Sequence, residues 1–419
     1  MRARGVCHRR IVRGRVPATI LAGVLAMQVA MVVGAGPAAA LSASAKTAVG
    51  TSDLVALSCP TATSCIAVGT TGTYPNAKGV VVSVTNGTPG TPHTVSGTGG
   101  LSDVRCTSAS LCVAVGDKID NGGEGVVVKV ANGVPGAAHD VAGTIQLTNV
   151  SCEPSTTTCV ATGGGFTGSK GYGAVVRVVA GVAGPAVVVS GTGLLSGVVC
   201  TSTTSCVAVG QTSTTSPTQG LVLPITNGSP GHPADVANTG VLDSIACPSA
   251  THCEAVGYRL TNTGNFNGAA AVAVNSGVPS AAKIVASLNT LNGVACRGAS
   301  LCEATGGVFS PRATSVTTIT NATPGTPQHA PVHLGENQGP HLVACPTSTN
   351  CVAVGNNAGP TYIGELIPIA GGIVGTAHAV SGSSFLVDVT CPTTTTCFAV
   401  GNLRGTTTSQ GVVAKITLP

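Results

Sequence analysis

Near-copies of one cysteine-paired segment occur eight times, and 46 to 49 residues separate the first cysteines of successive copies. With a Gly-rich, charge-poor composition, they predict an all-β fold: an eight-bladed β-propeller of four-stranded blades, closed by an N-terminal strand that completes the last blade. The first cysteines stand at 59, 106, 152, 200, 247, 296, 345 and 391. Only 8% of the 419 residues are charged, Trp is absent and Gly reaches 58, which favours strands and turns over surface helices.

The chain opens on a basic stretch to Arg15, an apolar run from Ala18 to Val33 and the small-residue sequence Pro37-Ala38-Ala39-Ala40. These are the three parts of a secretory signal peptide, expected over residues 1–40, with a single propeller domain of about 47 residues per repeat over 41–419. Six of the 19 basic residues lie in the first fifteen positions, and the remainder carries 13 basic against 14 acidic side chains. That near-neutral balance excludes a basic nucleic-acid surface, and no later stretch is long and apolar enough to span a bilayer as a helix.

Apart from Cys7, the cysteines fall into eight local pairs: Cys59/Cys65, Cys106/Cys112, Cys152/Cys159, Cys200/Cys206, Cys247/Cys253, Cys296/Cys302, Cys345/Cys351 and Cys391/Cys397. An even count in an exported chain reads as a disulfide framework. Each pair flanks a turn, as in Pro60-Thr61-Ala62-Thr63-Ser64, so opposed cysteines in a hairpin fall within bridging distance. Zinc would need ligands from two units and is disfavoured in an oxidising compartment. No metal or other cofactor is expected.

Each unit holds four strand segments. Strand a ends at the first cysteine (Leu101 to Cys106), and strand b starts at the second (Cys112 to Gly116). Strand c is apolar on consecutive positions (Gly125 to Val130), which demands cover on both faces; a blade between two neighbours meets that demand. Asn132-Gly133 then supplies hairpin chemistry before a short strand d near His139 to Val141. Ser315-Val316-Thr317-Thr318-Ile319 departs from the apolar strand c pattern and marks a looser sixth blade. The chain stops on strand c of the eighth unit. Thr47 to Leu54 aligns without gaps with Thr94 to Leu101, so the N-terminal segment is expected to supply the missing strand d and close the ring.

The segments SCPTATSCIAVG, TCVATG and ACPTSTNCVAVG resemble those of exported repeat proteins of actinobacterial type, and more distantly propellers of the neuraminidase-repeat and photosystem-assembly-factor kind. The resemblance covers Leu54 to the C-terminus and implies a propeller. In those relatives the c-to-d turn carries an Asp-box or Asp-Gly-Gly-x-Thr-Trp signature; here it holds Asn86-Gly87-Thr88-Pro89-Gly90 or Asn227-Gly228-Ser229-Pro230-Gly231. Glycan hydrolysis is therefore not carried over.

If strands alternate, the cysteine hairpins and c-to-d turns share one face, and the b-to-c and d-to-a connections share the other. Seven of the nine aromatics fall in b-to-c loops: Tyr74, Phe166, Tyr172, Tyr258, Phe266, Phe309 and Tyr362. They are the binding candidates, offering large contact area at low entropic cost unless each plugs its own loop. Asp117, Asp120 and Glu124 form the densest acidic group but lack calcium-loop spacing. The histidines near strand d of different blades (His93, His139, His378) are too far apart around a ring to share a metal, which leaves His329, His333 and His341, closer in sequence, as the one histidine group open to a metal. No nucleophile elbow, phosphate loop or zincin motif occurs. The reading is an exported non-catalytic module, a monomer, that binds an extracellular protein or glycan through the b-to-c face. The alternatives are a glycan-active lyase or glycosidase using the axial channel, and a structural cell-surface protein.

Overall fold

Local hairpins assemble the chain. The computed structural model describes residues 41–419 apart from 119–122, 168–169, 214–217, 262, 310–311, 331–341, 358–361 and 406–407; residues 1–40, where a signal peptide is expected, thus lie outside the described residues. In blade 1, Asp53–Ser58, Ser64–Thr71 and Lys78–Thr85 form strands a, b and c, and strand d follows in two pieces, Thr88–Pro89 and His93–Val95. All pairings are antiparallel. The short strand d expected from the sequence holds for such blades. In blade 2 it runs unbroken through Val134–Val141 and in blade 3 through Val182–Val189, each with a bulge.

Asn86 and Gly87, Asn132 and Gly133, and Asn227 and Gly228 all have positive φ, the geometry that tight c-to-d turns require. The opposite hairpin is bridged covalently. Cys59 joins Cys65, Cys106 joins Cys112, Cys152 joins Cys159 and Cys200 joins Cys206, and the same local pairing links Cys247 to Cys253, Cys296 to Cys302, Cys345 to Cys351 and Cys391 to Cys397. Cα atoms of the pairs lie 3.8 to 3.9 Å apart.

In seven of the eight bridges the two ends differ in burial, which the sequence did not indicate. Placing each pair at a turn suggests a surface staple, yet the second cysteine (Cys65, Cys112, Cys159, Cys206, Cys253, Cys302, Cys351 or Cys397) is buried in the apolar core of its blade. The reason is its place in strand b, next to the Ala-Val run that packs between blades. The first cysteine is half-buried at the end of strand a, save Cys200, which is buried as well. The bridges are thus core residues of the fold and offer no surface site. Each short closed loop contributes about 2 kcal/mol in the chain-entropy model. Bridges also lean on the preceding blade: Cys106 Sγ lies 3.9 Å from the Ser58 carbonyl oxygen and Cys200 Sγ 3.5 Å from that of Ser151.

Blades stack face to face. Val80, Val81 and Val82 on strand c are all fully buried, their side chains alternating between the two neighbouring blades, which explains the apolar run. The sixth blade buries Thr305, Ser315 and Thr317 as completely as the others bury Val. It is polar rather than exposed; Ser315 Oγ pairs with His329 Nδ1 at 2.9 Å, and Thr318 Oγ1 donates to Glu303 Oε2 at 2.8 Å.

Successive strands a touch one another all the way round, from blade 1 through blade 8 and back to blade 1, so they line a central axis. Closure is made by Ser42–Ala48, which pairs with Ser409–Thr417 from Ser42 opposite Thr417 to Ala48 opposite Gly411. This is an eight-bladed all-β propeller closed by its N-terminal strand.

A threonine latch ties the end of strand d to strand c in blades 1 to 4 and at the closure; in blade 5 the Leu288 carbonyl takes the strand c amide of Ala269, and in blade 7 Ser383 stands in the threonine's place. Thr98 Oγ1 donates to Val95 O at 2.8 Å and accepts from Gly79 N at 2.9 Å. Thr144, Thr192 and Thr239 repeat both bonds on Gly125, Gly173 and Gly220. Thr51 repeats them at the closure, on Ala48 O and Gly411 N.

Strand a carries one further device. Wherever it is fully described, its ladder with strand b slips by one residue after a buried leucine, as between Leu54 and Ala56 or Leu242 and Ser244. Such a bulge turns the extra residue out of the pleat. The glycine ending the Ala-Val-Gly motif permits the approach: a Cβ on Gly69 would stand 2.1 Å from the Asp53 carbonyl oxygen.

Candidate functional site

The b-to-c connections project from one face. Tyr74, in the connection between Thr71 and Lys78, is 82% exposed, Phe166 is 64%, Tyr362 47% and Phe266 42%. Phe166, Tyr172, Tyr258 and Phe266 stand on strands that continue past the blade body, not on loops: Thr158–Thr167 pairs with Lys170–Val179, and His252–Leu260 with Phe266–Asn275. Glycine allows the extension in blade 3, where a Cβ on Gly164 would stand 2.0 Å from the Tyr172 carbonyl oxygen. Phe309 ends strand b of blade 6 (Leu301–Phe309); its side chain lies outside the description.

Two clusters form on this rim among the described residues. Tyr258 and Phe266 pair with ring centroids 4.8 Å apart at 59°. Tyr362 packs at 4.8 Å on Phe385, and the Arg404 guanidinium lies 5.2 Å from the first ring centroid and 4.8 Å from the second. Stacking on two rings holds the guanidinium in place on an exposed rim. Phe385 and Arg404 were missed by the sequence reading. The repeats hold a signal for Phe385: six residues before the first cysteine other units have Asp53, Gly100, Gln146, Val241 or Thr290.

The opposite face carries exposed aliphatics at Val134, Val278 and Ile373, where strand d begins after its turn, and at Val182 beside its cross-strand partner Val179. Scattered apolar residues of this kind are ordinary surface.

Carboxyl groups gather along the inner strands. At the cysteine end, Asp103 Oδ2 accepts from Val150 N at 2.9 Å, and Asp388 Oδ2 from Leu57 N at 2.8 Å, each reaching the strand a of the next blade. Arg105 Nη1 pairs with Asp103 Oδ1 at 3.2 Å. Burial pushes Asp388 up to about 7; Arg105 and the backbone amides oppose that shift. A cavity of about 280 Å³ beside them is lined by Leu57, Ser58, Cys59, Arg105, Asp388, Val389 and Thr390. With oxygens committed to backbone amides, these carboxylates act as braces between blades.

At the other end, Asp53 accepts from Asn402 Nδ2 at 3.4 Å and burial pushes it up to about 6. Asp243, the bulged residue of blade 5, is pushed up to about 7 by burial. Burial and then the nearby Asp243 raise the Tyr258 hydroxyl to about 12.

Among the described residues no three His, Cys, Asp or Glu side chains gather into a metal site. Lys118 engages Asp140 and, at 3.6 Å, Glu124, so Glu124 of the acidic loop of blade 2 is turned to the loop's own lysine; Asp120, His333 and His341 lie outside the described residues.

No known family matches this chain, and no curated protein matches it. Solved propellers do. The chain is similar to Sqt1 from Chaetomium thermophilum, with a TM-score of 0.59 and 12% identity over 88% of this chain and 96% of that one. Sqt1 bound to the N-terminus of the ribosomal protein L10 gives a TM-score of 0.55 at 12% identity, covering 88% and 98%. The Dos1 propeller gives 0.60 at 10% identity, covering 90% and 95%. At such identities the likeness shows the fold alone.

Proposed function

We propose that this protein is an exported, non-catalytic binding propeller that docks an extracellular protein or glycan on its b-to-c rim. The observation that carries the reading is the one-sided placement of exposed rings, with Arg404 held against the packed Tyr362 and Phe385 pair. Aromatic and arginine side chains dominate binding energy where they are buried by a partner. The eight disulfides fit an oxidising compartment, and the segment over 1–40 has the form of a signal peptide. The resemblance of the repeats to exported propellers of actinobacterial type agrees with export. Sqt1, bound in one structure to the N-terminus of a ribosomal protein, is a precedent for a propeller of this size holding a protein segment.

The test is the triple variant Tyr258→Ala/Phe266→Ala/Tyr362→Ala, measured for melting temperature and for binding to isolated cell-envelope material. Binding should fall with little change in melting temperature. Unchanged binding would overturn the proposal.

A further inference from the structure

The inner strands carry an uneven charge. Between their starts and their first cysteines they hold Asp53, Asp103, Asp243 and Asp388 against Arg105 alone, among the described residues. Three of the four carboxylates are answered: Asp53 by Asn402, Asp103 by Arg105 and Val150 N, Asp388 by Leu57 N. Asp243 is not. Its Oδ2 is buried and no donor among the described residues reaches it.

The bulge explains where that oxygen faces. Leu242 and Ser244 on either side are buried in the blade faces, whereas Asp243, though enclosed by protein, keeps accessible surface, as a residue turned towards the axis does. The same bulged position presents Thr148 in blade 3, Ser196 in blade 4 and Asn292 in blade 6, so the channel wall beside Asp243 is polar and otherwise uncharged. Tyr258, one strand out, stacks on the exposed Phe266 at the rim.

We propose that this mouth of the axial channel binds a primary ammonium group, with Asp243 as its counter-ion and the Tyr258 and Phe266 rings as its apolar wall, presented by a lysine side chain of a protein partner. A carboxylate enclosed by protein without a partner is costly, and a guest cation removes that cost. Aromatic faces add to the attraction. One carboxylate is too few for a calcium or magnesium site, and a guanidinium fork would call on both oxygens, whereas an ammonium needs one. The site rests on the b-to-c face being the binding face. Its probe is a small amine, so its failure would leave rim docking of a whole partner standing.

The experiment is titration calorimetry of the full chain at low ionic strength with tetralysine peptide, with the same peptide acetylated on every amine, and with spermidine. Tetralysine should bind and the acetylated peptide should not. Asp243→Asn should weaken binding by about tenfold or more, while Asp235→Asn, the same charge change on an exposed outer strand, should leave it intact. Asn292→Lys, which places a fixed ammonium beside Asp243, should abolish binding independently. Equal affinity for tetralysine in wild type, Asp243→Asn and Asn292→Lys, or binding of the acetylated peptide, would overturn the site. Spermidine binding more tightly than tetralysine would overturn the lysine source.

Discussion

Thr51 Oγ1 accepts a 3.0 Å hydrogen bond from the Gly411 amide, 360 residues away, and repeats across the ring closure the bond that Thr98 makes to Gly79 within the first repeat. The N-terminal strand is therefore held by the same chemistry as strand d of blades 1 to 4. The latch accounts for one of the residues that Thr47 to Leu54 shares with Thr94 to Leu101, the threonine at 51 and 98.

Thr51→Val keeps the shape and removes the hydroxyl, leaving a buried amide unanswered. The expected loss is about 1–3 kcal/mol, read by denaturant unfolding. Thr98→Val should cost a similar amount, because both latches are buried. A much larger loss at Thr51 would mean that closure, not the local bond, limits stability.

A bridge removed by Cys59→Ala/Cys65→Ala should cost about 2 kcal/mol, measured the same way. Non-reducing peptide mapping should link each cysteine only to its partner within a repeat. Peptides joining cysteines of different repeats would contradict the assignment.

Stability should fall as pH rises from about 4 to 7. Asp243, Glu254 and Asp388 are each pushed up to about 7 by burial, from ordinary values near 4. Between those limits the unfolded chain has released protons that the folded chain keeps, so the folded state binds more protons and ΔG of unfolding decreases with pH. Melting temperature at pH 5 should exceed that at pH 7.5. Glu254 lacks the partners that Glu303 finds in the next blade, Arg297 Nε at 2.8 Å and Thr318 Oγ1 at 2.8 Å. Glu254→Gln should flatten the pH dependence and raise stability at pH 7.5.

Export should remove residues 1–40. N-terminal sequencing of protein recovered from culture medium should begin at Leu41, just before the closing strand Ser42–Ala48. Retention of the segment on membrane-bound protein would contradict the signal-peptide reading.

The blade was legible because its period and its cysteine hairpins are local: Cys106 and Cys112 lie opposite each other in one turn, and Asn132-Gly133 dictates the next. The inner carboxylates were not. Asp53, Asp103, Asp243 and Asp388 are scattered in the sequence and share an axis only because strand a of every repeat is innermost. The bulge that turns Asp243 out of the pleat leaves no mark in the hydrophobic pattern. Arg404 was hidden for a related reason, since the rings it stacks on come from the adjacent blade and from the start of its own strand a.

The most direct test of the central claim compares the two faces in one binding assay. Tyr258→Ala/Phe266→Ala/Tyr362→Ala alters the b-to-c rim; Val134→Ser/Val278→Ser/Ile373→Ser alters the cysteine face. Titrated against the same cell-envelope material, the rim variant should lose about 2 kcal/mol or more of binding and the cysteine-face variant should bind as wild type does. Loss confined to the cysteine-face variant would contradict the account.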